Sequence, residues 1–96
     1  RRQRELDAEI AAGAAEASGS LERWRIAAQA LEASRENLRL TQRAYALGEA
    51  DLQTLLLARR QGIDAALGAE QARIDAQRVR YRFFVDAHLI WGLHDE

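Results

Sequence analysis

Apolar residues recur at every seventh position through the first half of the chain. The row is unbroken and contains Ile10, Ala17, Trp24, Leu31, Leu38 and Tyr45. A partial companion row contains Ala14, Leu21 and Ala28, and is interrupted by Arg35 and Gln42. Because a seven-residue repeat keeps one side of a helix apolar over many turns, this pattern predicts a long helix that packs as a coiled coil.

The second half carries the same repeat in three rows. Two rows of large residues contain Leu56, Ile63, Phe84 and Trp91, and Leu67, Ile74, Tyr81 and His88. The third row contains Ala58, Ala65, Ala72 and Val79, with Ala66, Ala69 and Ala76 beside it. Glu70 and Gln77 interrupt the first row, so we expect an imperfect coiled-coil seam there. The small-residue face predicts a further close neighbour, since a two-helix hairpin alone cannot bury both faces.

A helix stop and a helix start lie close together at the middle of the chain. Gly48 suits the left-handed residue that closes a helix, because it has no Cβ to clash. Asp51 can cap the next helix with its carboxylate, and Glu49 adds a second negative charge near the positive end of that helix. The sequence therefore predicts a tight hairpin whose arms each extend roughly 70 Å.

The predicted organisation is a single coiled-coil hairpin over residues 1–96. The first helix covers 1–47, the turn 48–51, the second helix 52–92 and a tail 93–96. Gly13 and the run 18–20 weaken the first helix, because each Gly costs about 1 kcal/mol relative to Ala there. The alternative is a break, with Ser20 capping a new helix. We favour a continuous helix, bent or frayed near 13–20.

The composition gives the same fold class. Ala, Leu, Arg, Glu and Gln supply 63 of the 96 residues, Ala alone supplies twenty, and the chain has no Pro. These residue types are the strongest helix formers, so the fold class is all-α, a long antiparallel helical hairpin. In isolation, two such hairpins can pair into a four-helix bundle.

Charge and cysteine content exclude several kinds of partner and site. The formal net charge is −1, and all fourteen basic residues are Arg. This balance argues against a nucleic-acid partner, which requires a basic surplus. The absence of Cys excludes disulfides and thiolate zinc sites. The sequence begins with Arg1 rather than Met, and we expect it to be a segment of a longer protein.

Charged side chains are spaced for pairing along the helices. Spacings of three or four residues separate Glu32 and Arg35, Glu36 and Arg39, Asp75 and Arg78, Arg60 and Asp64, and Arg82 and Asp86. Such neighbours form ion pairs on solvated helix faces. These residues are therefore expected to be structural and to form no site.

No residue pattern predicts catalysis. Three Ser, two Thr and two His supply no nucleophile with an adjacent base, and the six Gly are scattered rather than gathered in a phosphate loop. His88 and His94 could be combined with Asp86 or Asp95 into a metal site, but a spacing of six residues is poor for one helical face. A histidine at the core edge and a frayed tail are the favoured explanation. We predict that the chain is not an enzyme and that it has no catalytic residues, no metal and no cofactor.

The segment from Tyr45 to Arg60 resembles a known family. Its sequence, YALGEADLQTLLLARR, is similar to the tip of the C-terminal coiled-coil hairpin in the TolC-like outer-membrane efflux proteins. Residues 36–44 resemble the family's descending segment, 65–87 its ascending helix and 89–92 the end of that helix. The likeness covers roughly residues 30–92, and the Leu-x-Ala-Arg-Arg wording is closest to the heavy-metal exporter branch.

The resemblance implies a conduit rather than an enzyme. In this family three protomers form an α-helical tunnel across the periplasm of a Gram-negative bacterium. The hairpin tips meet a membrane-fusion adaptor that works with an inner-membrane pump. This chain would be one hairpin of that tunnel, and its parent would contact the membrane only through a part outside these residues. A self-associated trimer is implied for the parent, and a dimer is the alternative for the chain alone.

The resemblance also places the contact residues at the tip. Leu47, Gly48 and Glu49 match the short adaptor-contact motif, and Tyr45 matches the tyrosine that holds neighbouring hairpins closed. The family often reads Val-Gly-Leu or Val-Gly-Thr, whereas this chain reads Leu-Gly-Glu. Glu49 and Asp51 would favour a basic partner. The Arg that family members place just after the Gly is absent from 49–51, so that gating interaction is not implied here.

Two other functions fit parts of the sequence. The first is the hairpin of a membrane-fusion adaptor, although the Arg–Leu–Ser pattern of such tips is absent. The second is a cytoplasmic coiled-coil dimerisation module, which the composition alone supports.

Overall fold

The computed structural model describes the backbone of residues 2–94 and the side chains of residues 3–89. Helix α1 spans Arg2–Ala46 and helix α2 spans Leu52–His94. The two helices pack antiparallel into a hairpin with principal extents of 72 × 17 × 14 Å. The predicted all-α hairpin and its length are therefore confirmed.

The helix bounds differ slightly from the predicted ones. Helix α1 ends at Ala46 rather than at residue 47, and α2 continues through His94, beyond the predicted start of a tail at 93. Helix α1 is continuous through residues 13–20. Ser20 does not start a new helix there; its hydroxyl instead donates to the carbonyl oxygen of Ala17 at 3.0 Å. Residues 95–96 of the predicted tail lie outside the described part of the chain.

One of the two predicted rows of α1 forms the seam between the helices. Ile10, Ala17, Trp24, Leu31 and Leu38 are all partly buried, as predicted, whereas Tyr45, the last member of the row, is 43% exposed. The companion row is wrong for Ala14 and for Leu21, which is 41% exposed, and Ala28 is its one partly buried member. The residues that complete the seam are small or polar: Gly13, Ser20, Ala27, Ser34 and Thr41.

Helix α2 packs through its small residues, and its large rows face outward. The seam of α2 consists of Leu55, Gly62, Ala69, Ala76 and Phe83 in one row and Ala58, Ala65, Ala72 and Val79 in the other. The expected seam of large residues is therefore wrong for the described side chains, since Tyr81 is 72% and Phe84 68% exposed. Trp91, the last member of that row, lies outside the described side chains.

Size complementarity explains this choice of faces. The large side chains of α1, such as Trp24 and Leu38, need space opposite them, and only the Ala- and Gly-rich face of α2 provides it. A Cβ built on Gly62 would lie 3.9 Å from Cδ2 of Leu38, which is an ordinary contact distance. Ala58 and Ala76 are almost completely buried as a result. Large residues on small ones let the backbones approach closely.

Four ion pairs lie on the surface of the described helices. They join Glu22 to Arg25, Glu32 to Arg35, Glu36 to Arg39 and Glu70 to Arg73. Two of these were predicted. Three other predicted pairs do not form within 4.0 Å among the described side chains: Arg60 with Asp64, Asp75 with Arg78, and Arg82 with Asp86.

Candidate functional site

The five residues predicted for the tip lie together at one end of the hairpin. Tyr45 is in the last turn of α1, the segment 47–49 forms the turn, and Asp51 immediately precedes α2. The turn is thus as short as the sequence indicates. The site consists of this turn and the first residues of the helix that follows it.

Gly48 closes α1 in the conformation that the sequence predicts. Its φ is +76°, in the left-handed region that an L side chain rarely adopts. The Gly48 N–H donates to the carbonyl of Tyr45 at 3.1 Å, and the Glu49 N–H donates to that of Ala44 at 2.8 Å. These two bonds form a Schellman motif, which satisfies carbonyls that the helix end would otherwise leave open.

Asp51 caps the start of α2. Its Oδ1 accepts hydrogen bonds from the Thr54 N–H at 2.8 Å and from the Thr54 hydroxyl at 2.6 Å. The hydroxyl bond and then the backbone bond hold the pKa of the Asp51 carboxyl below its ordinary value. The carboxylate is therefore ionised at neutral pH and anchored, and it fixes the direction in which α2 leaves the turn.

The tip presents apolar and acidic groups together. Leu47 is 64% exposed, and Tyr45 and Leu52 are exposed beside it. Among the described residues, the Glu49 side chain makes no hydrogen bond or ion pair, so its carboxylate remains free for a partner. Leu52 and Thr54 belong to this site and were not predicted. The Asp-x-x-Thr spacing of a capped helix could have indicated Thr54.

Gly48 also leaves an opening in the tip surface. A Cβ built on Gly48 would have no other atom within 4 Å, so the peptide on either side of it is accessible. A partner backbone can therefore approach the turn closely at Gly48. Leu47 and Glu49 flank this opening.

A second exposed feature runs along α2, on the side away from the seam. We call it the outer stripe; it consists of Leu56, Ile63, Leu67, Ile74, Tyr81 and Phe84, all exposed. The stripe extends about 42 Å along the helix, at 1.5 Å per residue. Scattered apolar residues on a surface are ordinary, whereas six large apolar side chains aligned on one face of a helix, although Arg60, Glu70 and Gln77 stand between them, mark a candidate interaction surface.

The described residues form neither a metal site nor a membrane span. No three His, Asp or Glu side chains among residues 3–89 are grouped so that they could hold a metal ion. His94 and Asp95, two of the residues considered for such a site, lie outside the described side chains. Over the described range, neither helix contains a stretch long and apolar enough to cross a membrane.

Comparison of the chain with protein-family models, with curated proteins and with solved structures finds no match in any of the three. The tip and the outer stripe are therefore the features that indicate a function.

Proposed function

We propose that this chain is a periplasmic hairpin from the α-helical tunnel of a trimeric outer-membrane efflux channel, and that its tip docks on a membrane-fusion adaptor. The residues that carry the resemblance to the TolC-like family, Tyr45 to Asp51, form one compact turn with its helix caps. The long, narrow shape suits a wall element of a tunnel. The periplasmic compartment, the trimer and the partner pump are part of this proposal because the resemblance implies them. The sequence at the tip is closest to that of the heavy-metal exporter branch.

The observation that carries the proposal is the accessible turn at Gly48. A docking tip needs a fixed backbone that a partner can reach. The Schellman motif and the Asp51 cap fix the backbone, and Gly48, which has no Cβ, leaves the turn accessible. Leu47 supplies an exposed apolar side chain beside the turn, and its burial on docking would contribute to the affinity.

The charge of the tip specifies its partner more narrowly. Glu49 stands where relatives in the family often carry Leu or Thr, and Asp51 adds a second carboxylate. Both favour an adaptor tip that carries Arg or Lys opposite residue 49. Charge complementarity at an interface raises the rate of association and excludes partners of the wrong sign.

The test is site-specific crosslinking in cells, and the chain is suited to it because it contains no Cys. Leu47→Cys and Glu49→Cys are expected to crosslink to the adaptor of the same transport system. Gln29→Cys, exposed in the middle of α1, is the matched control and should not crosslink. Crosslinks from Gln29→Cys alone, or none from either tip position, would contradict the docking proposal.

A charge reversal separates contact from proximity. In the Leu47→Cys background, Glu49→Arg should reduce crosslinking about tenfold, because it replaces attraction to a basic partner with repulsion. Glu9→Arg, the same change at the opposite end of the hairpin, should have no effect. Equal effects of the two charge reversals would show that binding of the partner does not depend on the charge at the tip.

The outer stripe favours a second candidate function, a coiled-coil dimerisation module. It runs along α2 from Leu56, just beyond the tip, to Phe84, and it is exposed in the single hairpin. A second helix packed on it would complete a bundle. Concentration-dependent sedimentation of the chain without adaptor crosslinking would favour this function over tip docking.

A further inference from the structure

We propose that two copies of this chain pair antiparallel through the outer stripes of their α2 helices, in a register centred at the level of Ala72. This inference rests on the second candidate function and names its orientation and register. It is independent of adaptor docking, because the pairing leaves the two tips free at opposite ends.

The outer stripe has the spacing of a coiled-coil seam. Steps of three and four residues alternate along it through Leu56, Arg60, Ile63, Leu67, Glu70, Ile74, Gln77, Tyr81 and Phe84. All nine side chains are exposed in the single hairpin. The same alternation forms the inner seam on the other side of α2, so this helix carries two seams and the hairpin occupies one of them.

The polar members of the stripe favour the antiparallel orientation. In a parallel pair in register, Arg60 would face the second copy's Arg60, and Glu70 would face the second copy's Glu70. Both layers would bury like charges, which is strongly unfavourable. An antiparallel pair avoids both layers, and the two copies are then related by a two-fold axis with the same face on each.

Length and packing place the axis near Ala72. This register overlaps almost the whole of α2, Leu52–His94, on its copy. It sets Ile63 against the second copy's Tyr81 and Arg60 against the second copy's Phe84. An Arg over an aromatic face is a favourable cation–π pair, so the one cation in the apolar part of the stripe is accommodated.

The charges beside the stripe agree with this register. It sets Asp64 opposite the second copy's Arg78, and the two-fold axis repeats this contact. Both side chains are exposed and form no ion pair within the described residues of their own chain. Such flanking pairs set orientation and register in coiled coils. Arg73 meets the second copy's Arg73, but its Nε already donates to Glu70 at 3.1 Å.

The neighbouring registers lack this complementarity. Sliding the copies by one seven-residue repeat in one direction sets Arg59 opposite the second copy's Arg80. Sliding them by one repeat in the other direction sets Arg73 opposite the second copy's Arg80. Neither shift places Asp64 opposite an Arg. The proposed register gives two contacts between Asp64 and Arg78 and one like-charge contact, Arg73 with its copy, whereas each shifted register sets Arg against Arg and no Asp against Arg. The flanking residues therefore favour the proposed register.

The register is tested by charge reversal and rescue, with sedimentation equilibrium of the 96-residue chain as the measurement. Asp64→Arg and Arg78→Asp should each raise the dimer dissociation constant about tenfold or more, because each change replaces two attractive contacts with two repulsive ones. The double variant should restore the original dissociation constant. Glu16→Arg and Arg43→Glu, exposed on α1 and therefore away from the outer stripe of α2, are the control variants and should leave dimerisation unchanged.

The orientation is tested with single cysteines and a short thiol crosslinker. Gln71→Cys lies beside the proposed axis and should crosslink to its copy. Gln53→Cys should not, because an antiparallel pair separates the two copies of residue 53 by roughly 57 Å of helix. A monomeric chain, crosslinking through Gln53→Cys, or failure of the double variant to restore the dimer would each overturn the proposal. The adaptor crosslinks from Leu47→Cys are read separately and do not depend on these outcomes.

Discussion

The ring of Phe83 occupies the space into which a side chain at position 13 would point. A Cβ built on Gly13 would lie 2.7 Å from Cδ2 of Phe83 and 3.3 Å from its Cε2. Gly13 is therefore required by the aromatic ring across the seam, although it weakens α1 locally. The glycine that the sequence presented as a weak point of the helix is a packing position.

The first prediction concerns this contact. Gly13→Ala should lower the free energy of unfolding by about 1 kcal/mol, because overpacking outweighs the gain in helix propensity. In a Phe83→Ala background the same change should raise it, since the clash is gone and only the propensity gain remains. Thermal unfolding of the four variants, at one chain concentration, measures this cycle. Stabilisation by Gly13→Ala in both backgrounds would show that the Phe83 ring can move aside without loss of stability.

Gly68 provides the opposite case. It is exposed in the middle of α2, and a Cβ built there would have no neighbour within 4 Å. Gly68→Ala should stabilise the chain by up to about 1 kcal/mol, through helix propensity alone. This corresponds to a rise in melting temperature of about 4–8 °C for a chain of this size. An unchanged or lower melting temperature would contradict this expectation.

Gly48 should respond in the reverse direction to the same substitution. Gly48→Ala places a Cβ on a residue with φ of +76°, and should cost about 1 kcal/mol or more. Gly48→Asn should cost less, because Asn tolerates the left-handed region. Chemical denaturation measures both values. Equal losses for Ala and Asn would indicate that access to the turn, and not the backbone conformation, requires Gly.

The Asp51 cap should make stability depend on acid pH. The pKa of the Asp51 carboxyl is held below its ordinary value of 3.8 by Thr54, so its contribution is present above that pH and is lost as pH falls through the lowered pKa. Asp51→Ala should therefore lower the melting temperature at about pH 6, and the difference from the unchanged chain should shrink below about pH 3. Asp51→Asn keeps an acceptor but does not titrate, so it should remove most of this pH dependence. A difference that is constant with pH would contradict the cap.

Ser20 tests how tightly the seam is packed. It is 1% exposed and its hydroxyl is already bonded within α1. Ser20→Ala should change stability little, because no bond across the seam is lost. Ser20→Leu should destabilise the hairpin by about 1–3 kcal/mol through overpacking. Circular dichroism during heating measures the stability of both variants. A Ser20→Leu variant as stable as the unchanged chain would contradict the position of Ser20 in the seam.

The ends of the helices were predictable because they depend on local chemistry. Gly48 and Asp51 act through backbone conformation and hydrogen bonds within a few residues, and the sequence contains that information directly. The continuity of α1 through residues 13–20 also follows from the unbroken row from Ala17 to Trp24. Chain length and the position of the turn then determine the hairpin.

The faces of α2 were not predictable by the same reasoning. Ala76 and Tyr81 both belong to apolar rows, and hydrophobicity alone favours Tyr81 for the seam. The seam takes Ala76 because the opposite helix contributes large side chains and needs a small one in return. In α1, Ser20 takes the position expected of Leu21 because its hydroxyl is satisfied by its own helix. Both outcomes depend on how a face of α1 fits a face of α2. The apolar pattern of one helix alone does not contain that information.

The two hydroxyls buried along the seam bond only within α1: Ser20 to Ala17 and Ser34 to Leu31. No side-chain hydrogen bond joins the two helices among the described residues, so the axial alignment of the helices depends on shape. Phe83 packs against Gly13 so closely that a Cβ at position 13 would lie 2.7 Å from its ring. Sliding one helix along the other would therefore carry the Phe83 ring off Gly13 and onto a residue that has a side chain.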